Sequence, residues 1–362
     1  MKFVVKTSDL KSMFSMVSSC IVEEKIALCQ SMYIKRGENN QLNIRAMDNK
    51  HLFTCDLPYE SEEGFEEAYI PFFDVNKFVS KFKNEKTTFT FKENDVLRVS
   101  SGKAYCQVSI RSAEESNFVS EVLNSELPNE ITLPKIVIQN IKNKLNGIVD
   151  TSNNRPILNG ICLDIVDNKL YFASSDGKKL AVYDTELTCN TNNRIVIPIE
   201  AINSFVSVCN SDNVTIKFSD KFIEFVSDTR KYFSTLINGD YPDYRRILNS
   251  TSNNNIEVQV KKNELIEALS FVNVLYDVNK KCEFSIKDKK LTLNFNNNES
   301  FEEIDIESEA DFTTLLNSSF LEKMIKPLNT EMVKFKFLNA NSPILIEADS
   351  IKMMLMPMRS AH

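Results

Sequence analysis

Residues 160–179 read GICLDIVDNKLYFASSDGKK. Apolar residues alternate on either side of the polar turn Asp167-Asn168-Lys169, the mark of an antiparallel hairpin with one buried face. The same pattern stands at 31–50, SMYIKRGENNQLNIRAMDNK, around Gly37-Glu38-Asn39-Asn40. It returns at 282–300, CEFSIKDKKLTLNFNNNES, around Lys287-Asp288-Lys289. Leu42, Leu170 and Leu291 hold equivalent places, 128 and 121 residues apart. A period this long means triplication of a domain, not a solenoid of short repeats.

What flanks the three hairpins repeats as well. Each is preceded by a short apolar strand (Phe3-Val4-Val5, Ile131-Thr132-Leu133, Val258-Gln259-Val260) and an amphipathic helix expected over 8–21, 135–149 and 263–276. In the third helix Leu265, Ala268, Leu269, Val272 and Tyr276 follow helical spacing. A second helix is expected over 73–82, 199–209 and 318–328. Pro71 and Pro198 open two copies, and Asn317-Ser318 offers an N-cap for the third. Each unit ends in a strand pair and one last strand, AYCQVSIR, KYFSTLIN or SIKMMLMPM. Polar stretches near Pro128 and over 250–255 divide the chain into modules at 1–127, 128–253 and 254–362. The fold class is α+β: helices lie on one face of antiparallel sheets. Modules set side by side can continue one another's sheets, and an array that closes on itself leaves no free edge. Sheets would then lie outside and helices inside.

Composition excludes several function classes. Of 362 residues, 42% are apolar and 26% charged, ordinary for a globular chain. No window approaches a membrane span and the first residues lack a secretory core, so a cytoplasmic chain with no membrane partner is expected. Eight scattered cysteines without a C-x-x-C pair, and only two histidines, His51 and His362, give no metal site and imply no cofactor. With no phosphate loop and no nucleophile–base arrangement, no catalytic residues are assigned.

The net charge of −7 speaks against a nucleic-acid binder until it is divided by element. The expected helices and their first turns carry Lys11, Lys77, Lys81, Lys83, Lys135, Lys142, Lys144, Lys261, Lys262, Lys323 and Lys326. Against them stand six acids, so the helices hold +5 and the remainder −12. A basic lining within an acidic shell would draw phosphate into a central hole. The same count equally fits helices that merely favour lysine.

Four segments carry a family resemblance. They are Asn159-Gly160 after Leu158; Ser175-Asp176-Gly177-Lys178-Lys179-Leu180-Ala181-Val182; Asn238 through Leu248 (NGDYPDYRRIL); and Met356-Pro357-Met358-Arg359. In this order, and with the threefold repeat, they resemble the bacterial sliding clamp, the beta subunit of DNA polymerase III. The resemblance implies a head-to-tail homodimer, a six-domain ring around duplex DNA and no reaction catalysed. The partners it implies are DNA polymerase III and other polymerases, the clamp loader, and repair proteins that dock short peptides.

The resemblance puts a partner-peptide pocket between the second and third modules, at Leu158, Ser175, Gly177, Lys178, Lys179, Leu180, Pro242, Arg246, Ile247, Met354, Leu355, Met356, Pro357, Met358 and Arg359. Methionine suits a surface that accepts many peptides, and Lys or Arg at a rim can hold carboxylates. The run 353–358 reads as well as a core-facing last strand. Lys178-Lys179 stands where the family usually has His-Arg, and the chain ends in Ser360-Ala361-His362. The family's basic residues after the second-helix proline are missing at Phe72-Phe73-Asp74 and Ile199-Glu200. That shifts the expected DNA contacts to Lys77, Lys81, Lys142, Lys144 and Lys326, with Lys25 and Arg155 in loops. The implied dimer edge pairs the strand around Tyr105, Cys106 and Val108 with the partner's third module near Leu275 and Val278. A scaffold that keeps the fold but no longer loads onto DNA is the rival reading.

Overall fold

The computed structural model describes residues 1–21, 31–110, 117–150, 155–274, 280–295 and 300–359. Lys25, Leu275, Val278 and the tail 360–362 lie outside these residues. The helices in chain order are α1 (Thr7–Cys20), α2 (Phe72–Val79), α3 (Asn117–Leu123), α4 (Lys135–Leu145), α5 (Ile199–Val208), α6 (Tyr244–Asn249), α7 (Lys262–Val272) and α8 (Ser318–Ile325). Six are the expected repeated pairs, several ending a turn earlier than expected. The short α3 and α6 were not foreseen.

Hairpin turns explain how a chain with only seven glycines folds into so many antiparallel strands. Two-residue turns that match strand twist need positive φ at both central residues, and Asn and Asp tolerate this better than other side chains. Asn39-Asn40, Asn94-Asp95, Asp167-Asn168 and Asp288-Lys289 all adopt φ between 49° and 63°. The hairpins foreseen around three of these turns are present in register, and Leu42, Leu170 and Leu291 are fully buried.

The chain divides into two compact units. One comprises Met1–Ile138 with Glu200–Leu236, the other Gln139–Ile199 with Ile237–His362. In the first unit a five-stranded sheet runs Ser61–Glu63, Lys2–Lys6, Lys86–Lys92, Val96–Ser101, Ala104–Ser109. An eight-stranded sheet runs Asn129–Pro134, Asn213–Phe218, Phe222–Ser227, Arg230–Thr235, His51–Pro58, Gln41–Met47, Ser31–Arg36, Glu67–Pro71. The second unit has its own eight-stranded sheet: Asn193–Pro198, Gly160–Val166, Lys169–Ser175, Lys179–Thr188, Ile351–Leu355, Ile344–Ala348, Met332–Phe337, Ile256–Lys261. Its four-stranded sheet runs Ser300–Asp305, Lys290–Phe295, Lys281–Lys287, Phe312–Asn317. Each eight-stranded sheet joins strands from either side of an expected module boundary, which is why the units do not follow those boundaries.

Two seams make these joins. Arg230–Thr235 pairs antiparallel with His51–Pro58, setting Tyr232 opposite Phe53 and Phe233 opposite Leu52. Ile351–Leu355 pairs antiparallel with Lys179–Thr188, setting Met353 opposite Ala181 and Met354 opposite Leu180. Counted along the repeat, the two registers are the same.

The helices are fastened by a repeated device. Backbone N–H groups of Thr7, Lys135 and Lys262 donate to the carbonyls of Glu85, Asp212 and Glu331 at 2.7–2.8 Å. Just past the C-terminal ends of α2, α5 and α8, the carbonyls of Phe82, Cys209 and Leu328 accept from the ammonium groups of Lys11, Lys135 and Lys262. A cation at a helix C-terminus satisfies an orphan carbonyl and complements the helix dipole. Three of the eleven helical lysines are thereby engaged within the fold. The Asn317 side chain caps α8, accepting from the Phe320 N–H at 2.9 Å.

Candidate functional site

The turn between strands Lys169–Ser175 and Lys179–Thr188 is built by its own side chains. Asp176 Oδ1 accepts from the N–H groups of Lys178 (2.7 Å) and Lys179 (2.6 Å), and Ser175 Oγ accepts from the Gly177 N–H at 3.0 Å. Gly177 has φ +83°, and a Cβ there would lie 2.4 Å from the Arg155 guanidinium. The positive φ favours glycine, and its bare Cα leaves room for the guanidinium to lie close. Arg155 also donates to the Asp176 carbonyl at 3.1 Å. Expected as a loop residue reaching for DNA, it is exposed and rests on this turn.

Behind the turn lies an apolar cluster of Leu158, Cys162, Ala173, Leu180, Val182, Val196, Tyr241, Tyr244 and Met354, bordered by Ile157, Tyr171, Ile237, Ile247 and Leu248. Three of the four quoted segments contribute to this cluster, and the fourth is tied to the turn beside it. Gly160 admits the close approach of strand Asn193–Pro198, since a Cβ would sit 2.6 Å from the Ile197 carbonyl oxygen. Met356 N–H donates to the Lys178 carbonyl and Met358 N–H to that of Leu315, so 356–358 continue past their strand beside the turn. Met356 is 39% exposed. Pro357 and Met358 are half-buried, while Lys178, Pro242, Arg246 and Arg359 are exposed at the margin. Ser175 is buried, its hydroxyl donating to the Lys179 carbonyl.

Two residues assigned to the pocket lie elsewhere. Successive side chains in a strand point to opposite faces. Leu180 and Met354 are paired and lie in the cluster, so the adjacent pair Lys179 and Leu355 takes the other face. Lys179 is buried there, 2.9 Å from Asp176, donating to the Gly147 carbonyl and lying over the Phe320 ring. It is a structural cation, not a rim group.

The wall of the site is α6. Asp243 caps it, accepting from the Arg246 N–H. Its first two residues, which sequence reasoning passed over, reach the buried Asp164. Burial raises the Asp164 pKa, but hydrogen bonds from Arg194 and Tyr244 and the charge of Arg245 outweigh burial and hold the carboxyl below its ordinary range. The signal for these residues was the Tyr-Arg-Arg of the third quoted segment.

Comparison with known proteins bears on the whole chain. Residues 132–243 match the central domain of the DNA polymerase III beta subunit, and 246–359 match its C-terminal domain. The chain belongs to the DNA polymerase III beta subunit family. Among named relatives, the beta sliding clamp of Staphylococcus aureus is 22% identical over 353 residues, covering 93% of this chain and 91% of that one. That of Chlamydia pneumoniae is 21% identical over 301 residues, covering 82% and 80%. The beta subunit structure from Pseudomonas aeruginosa superposes with a TM-score of 0.88 at 18% identity, covering 99% of this chain and all of that one. The Bartonella birtlesii clamp, solved bound to griselimycin, gives 0.88 at 20% identity with the same coverage.

In this beta subunit, the lysines expected at DNA have unlike surroundings. Lys77 is exposed and 3.4 Å from Asp74, Lys81 is exposed, and Lys142 is half-buried. Lys326 is exposed, 4.0 Å from Glu322. Lys144 departs from expectation: it is buried, 3.7 Å from Asp349, and lies over the Tyr183 ring, so it cannot also meet phosphate.

The thiols of Cys20, Cys55, Cys162 and Cys282 are buried, and burial pushes each up to about 12. Cys106 is buried in strand Ala104–Ser109 and raised by the same cause. As protonated thiols they pack as small apolar groups. Among the described residues no helix is long and apolar enough to cross a membrane.

Proposed function

We propose that two copies of this sliding clamp join head to tail into a ring of six similar modules around duplex DNA, and that the cluster beneath α6 docks peptide segments of polymerases, the clamp loader and repair proteins. The observation that carries the closure is the pair of seams. At each, the last strand of one module pairs with the third hairpin strand of another. The same rule leaves Ala104–Ser109 and Ser300–Asp305 at the edges of their sheets, and each is a match for the other in a second copy.

Carrying the shared register of the two seams to these edges sets Cys106 opposite the partner's Ser300, Tyr105 opposite the partner's Phe301, and Ala104 opposite the partner's Glu302. The surroundings agree. Phe78 on α2 is 47% exposed beside one edge. Phe301, and Phe271 and Val274 at the end of α7, are 49%, 53% and 78% exposed at the other. Tyr232 and Phe53, the seam counterparts of Cys106 and Ser300, are fully buried, and Tyr105, which would face Phe301, is 56% exposed. Large apolar side chains are thus exposed at both free edges, as expected where two sheets are to join.

DNA would be held without sequence readout, by topology and by lysines reaching phosphate. Lys77 and Lys142 are the choice to test, being on second and first helices without a buried partner. With Lys77→Glu and Lys142→Glu together, the amount retained on nicked circular DNA at physiological salt should fall several-fold while the two-chain mass stays. Retention equal to the unmodified protein would mean that these lysines do not face the duplex. The benefit of the ring is effective concentration, since a tethered polymerase rebinds as an intramolecular event.

A further inference from the structure

Helix α6 has only six residues, and a helix that short has no stability of its own. Its contact with the sheet beneath must therefore fix it. One carboxylate oxygen, Asp164 Oδ2, accepts from Arg194 Nη2 at 2.8 Å, from Tyr244 Oη at 2.9 Å and from Arg245 Nη1 at 2.6 Å. Asp164 lies in strand Gly160–Val166 and Arg194 in the edge strand beside it, while Tyr244 and Arg245 open α6. The Asp164 side chain is 4% exposed. The Arg245 guanidinium also lies over the rings of Tyr171 and Tyr244, at 5.3 Å and 4.8 Å.

The charges do not cancel: one carboxylate serves two guanidinium groups. Without it, two cations would face each other at the base of α6, and the Tyr244 hydroxyl would lose its acceptor. A charge-assisted network of this kind is short and directional, so it fixes angle as well as contact. The residues that follow at once in the chain are Arg246 and Ile247, the rim cation and the border of the apolar cluster.

We propose that Asp164 is the positioning residue of the peptide site: it sets the seat of α6, so that Ile247 completes the apolar floor and Arg246 stands over its margin. This rests on the reading of the cluster as a peptide dock. It adds a group that touches no peptide yet governs affinity.

The test uses the full chain and a fluorescein-labelled tail peptide of the replicative polymerase, with affinity read by polarisation and helix order by amide exchange. Asp164→Asn should weaken binding roughly tenfold or more, with faster exchange confined to 244–250. Asp164→Glu, which keeps the charge, should recover most of the affinity. Arg245→Gln, at a partly exposed residue, should weaken binding in the same direction if Asp164→Asn does not fold. Unchanged affinity in Asp164→Asn overturns the proposal, as does faster exchange throughout the sheet, which would make Asp164 a residue of the fold alone. Met356→Ala with Met358→Ala is the companion measurement. If that pair binds peptide normally, the dock itself has been misplaced; if it loses binding while Asp164→Asn keeps it, only the positioning role falls.

Discussion

Phe301→Asp is expected to leave single chains where the unmodified protein forms two-chain particles. Phe301 is half exposed in strand Ser300–Asp305, and the register of the two internal seams sets it against the partner's Tyr105, a residue 56% exposed in the single chain. An aromatic anchor at the centre of an interface is commonly worth about 2–4 kcal/mol. A new carboxylate would add repulsion, since Glu302 and Glu303 follow directly. A two-fold closed dimer has two such contacts, so the loss is felt twice. Sedimentation at micromolar protein should show the mass of one chain. Two-chain particles as stable as before would mean that this edge is not the joint.

The second large effect is expected at the peptide site. Met356→Ala with Met358→Ala should weaken binding of the labelled polymerase tail by roughly thirtyfold to nearly a thousandfold, taking about 1–2 kcal/mol for each apolar side chain no longer covered on binding. The two-chain mass and thermal midpoint should hold, because Met356 is 39% exposed and Met358 only half-buried. The fully buried methionine of the run is Met353, on the opposite face. Unchanged affinity would return 356–358 to the alternative reading, a last strand serving only the core.

How far the sequence reveals these features depends on the range of the interaction. Hairpins and their turns are local: alternation and Asn or Asp at positive φ specify them, and the threefold recurrence made the pattern plain. The helix pairs are nearly as local. α6 escaped because six residues show no period and its stability comes from Asp164, 80 residues away from Tyr244. Lys179 and Leu355 were placed in the pocket because a motif names residues in a row, whereas a strand sends alternate ones to opposite faces. The lysines were the hardest to read. Charge counting treats Lys11, Lys135, Lys144 and Lys262 alike with Lys81, yet three hold helix ends and one is buried against Asp349. A basic helical count therefore overstates what is free to meet phosphate.

The most direct measurement joins closure and DNA in one result. Ser300→Cys places a thiol opposite the partner's Cys106 across the inferred joint, where Cβ atoms of facing residues come within about 4.5–5.5 Å. The variant is loaded by the cell's clamp loader onto nicked circular DNA, oxidised and washed in high salt, and the circle is then cut once. The account predicts cross-linked two-chain protein that stays on the intact circle and leaves when the DNA becomes linear. Protein that forms no inter-chain bond, or that is washed from circle and linear DNA alike, would contradict it.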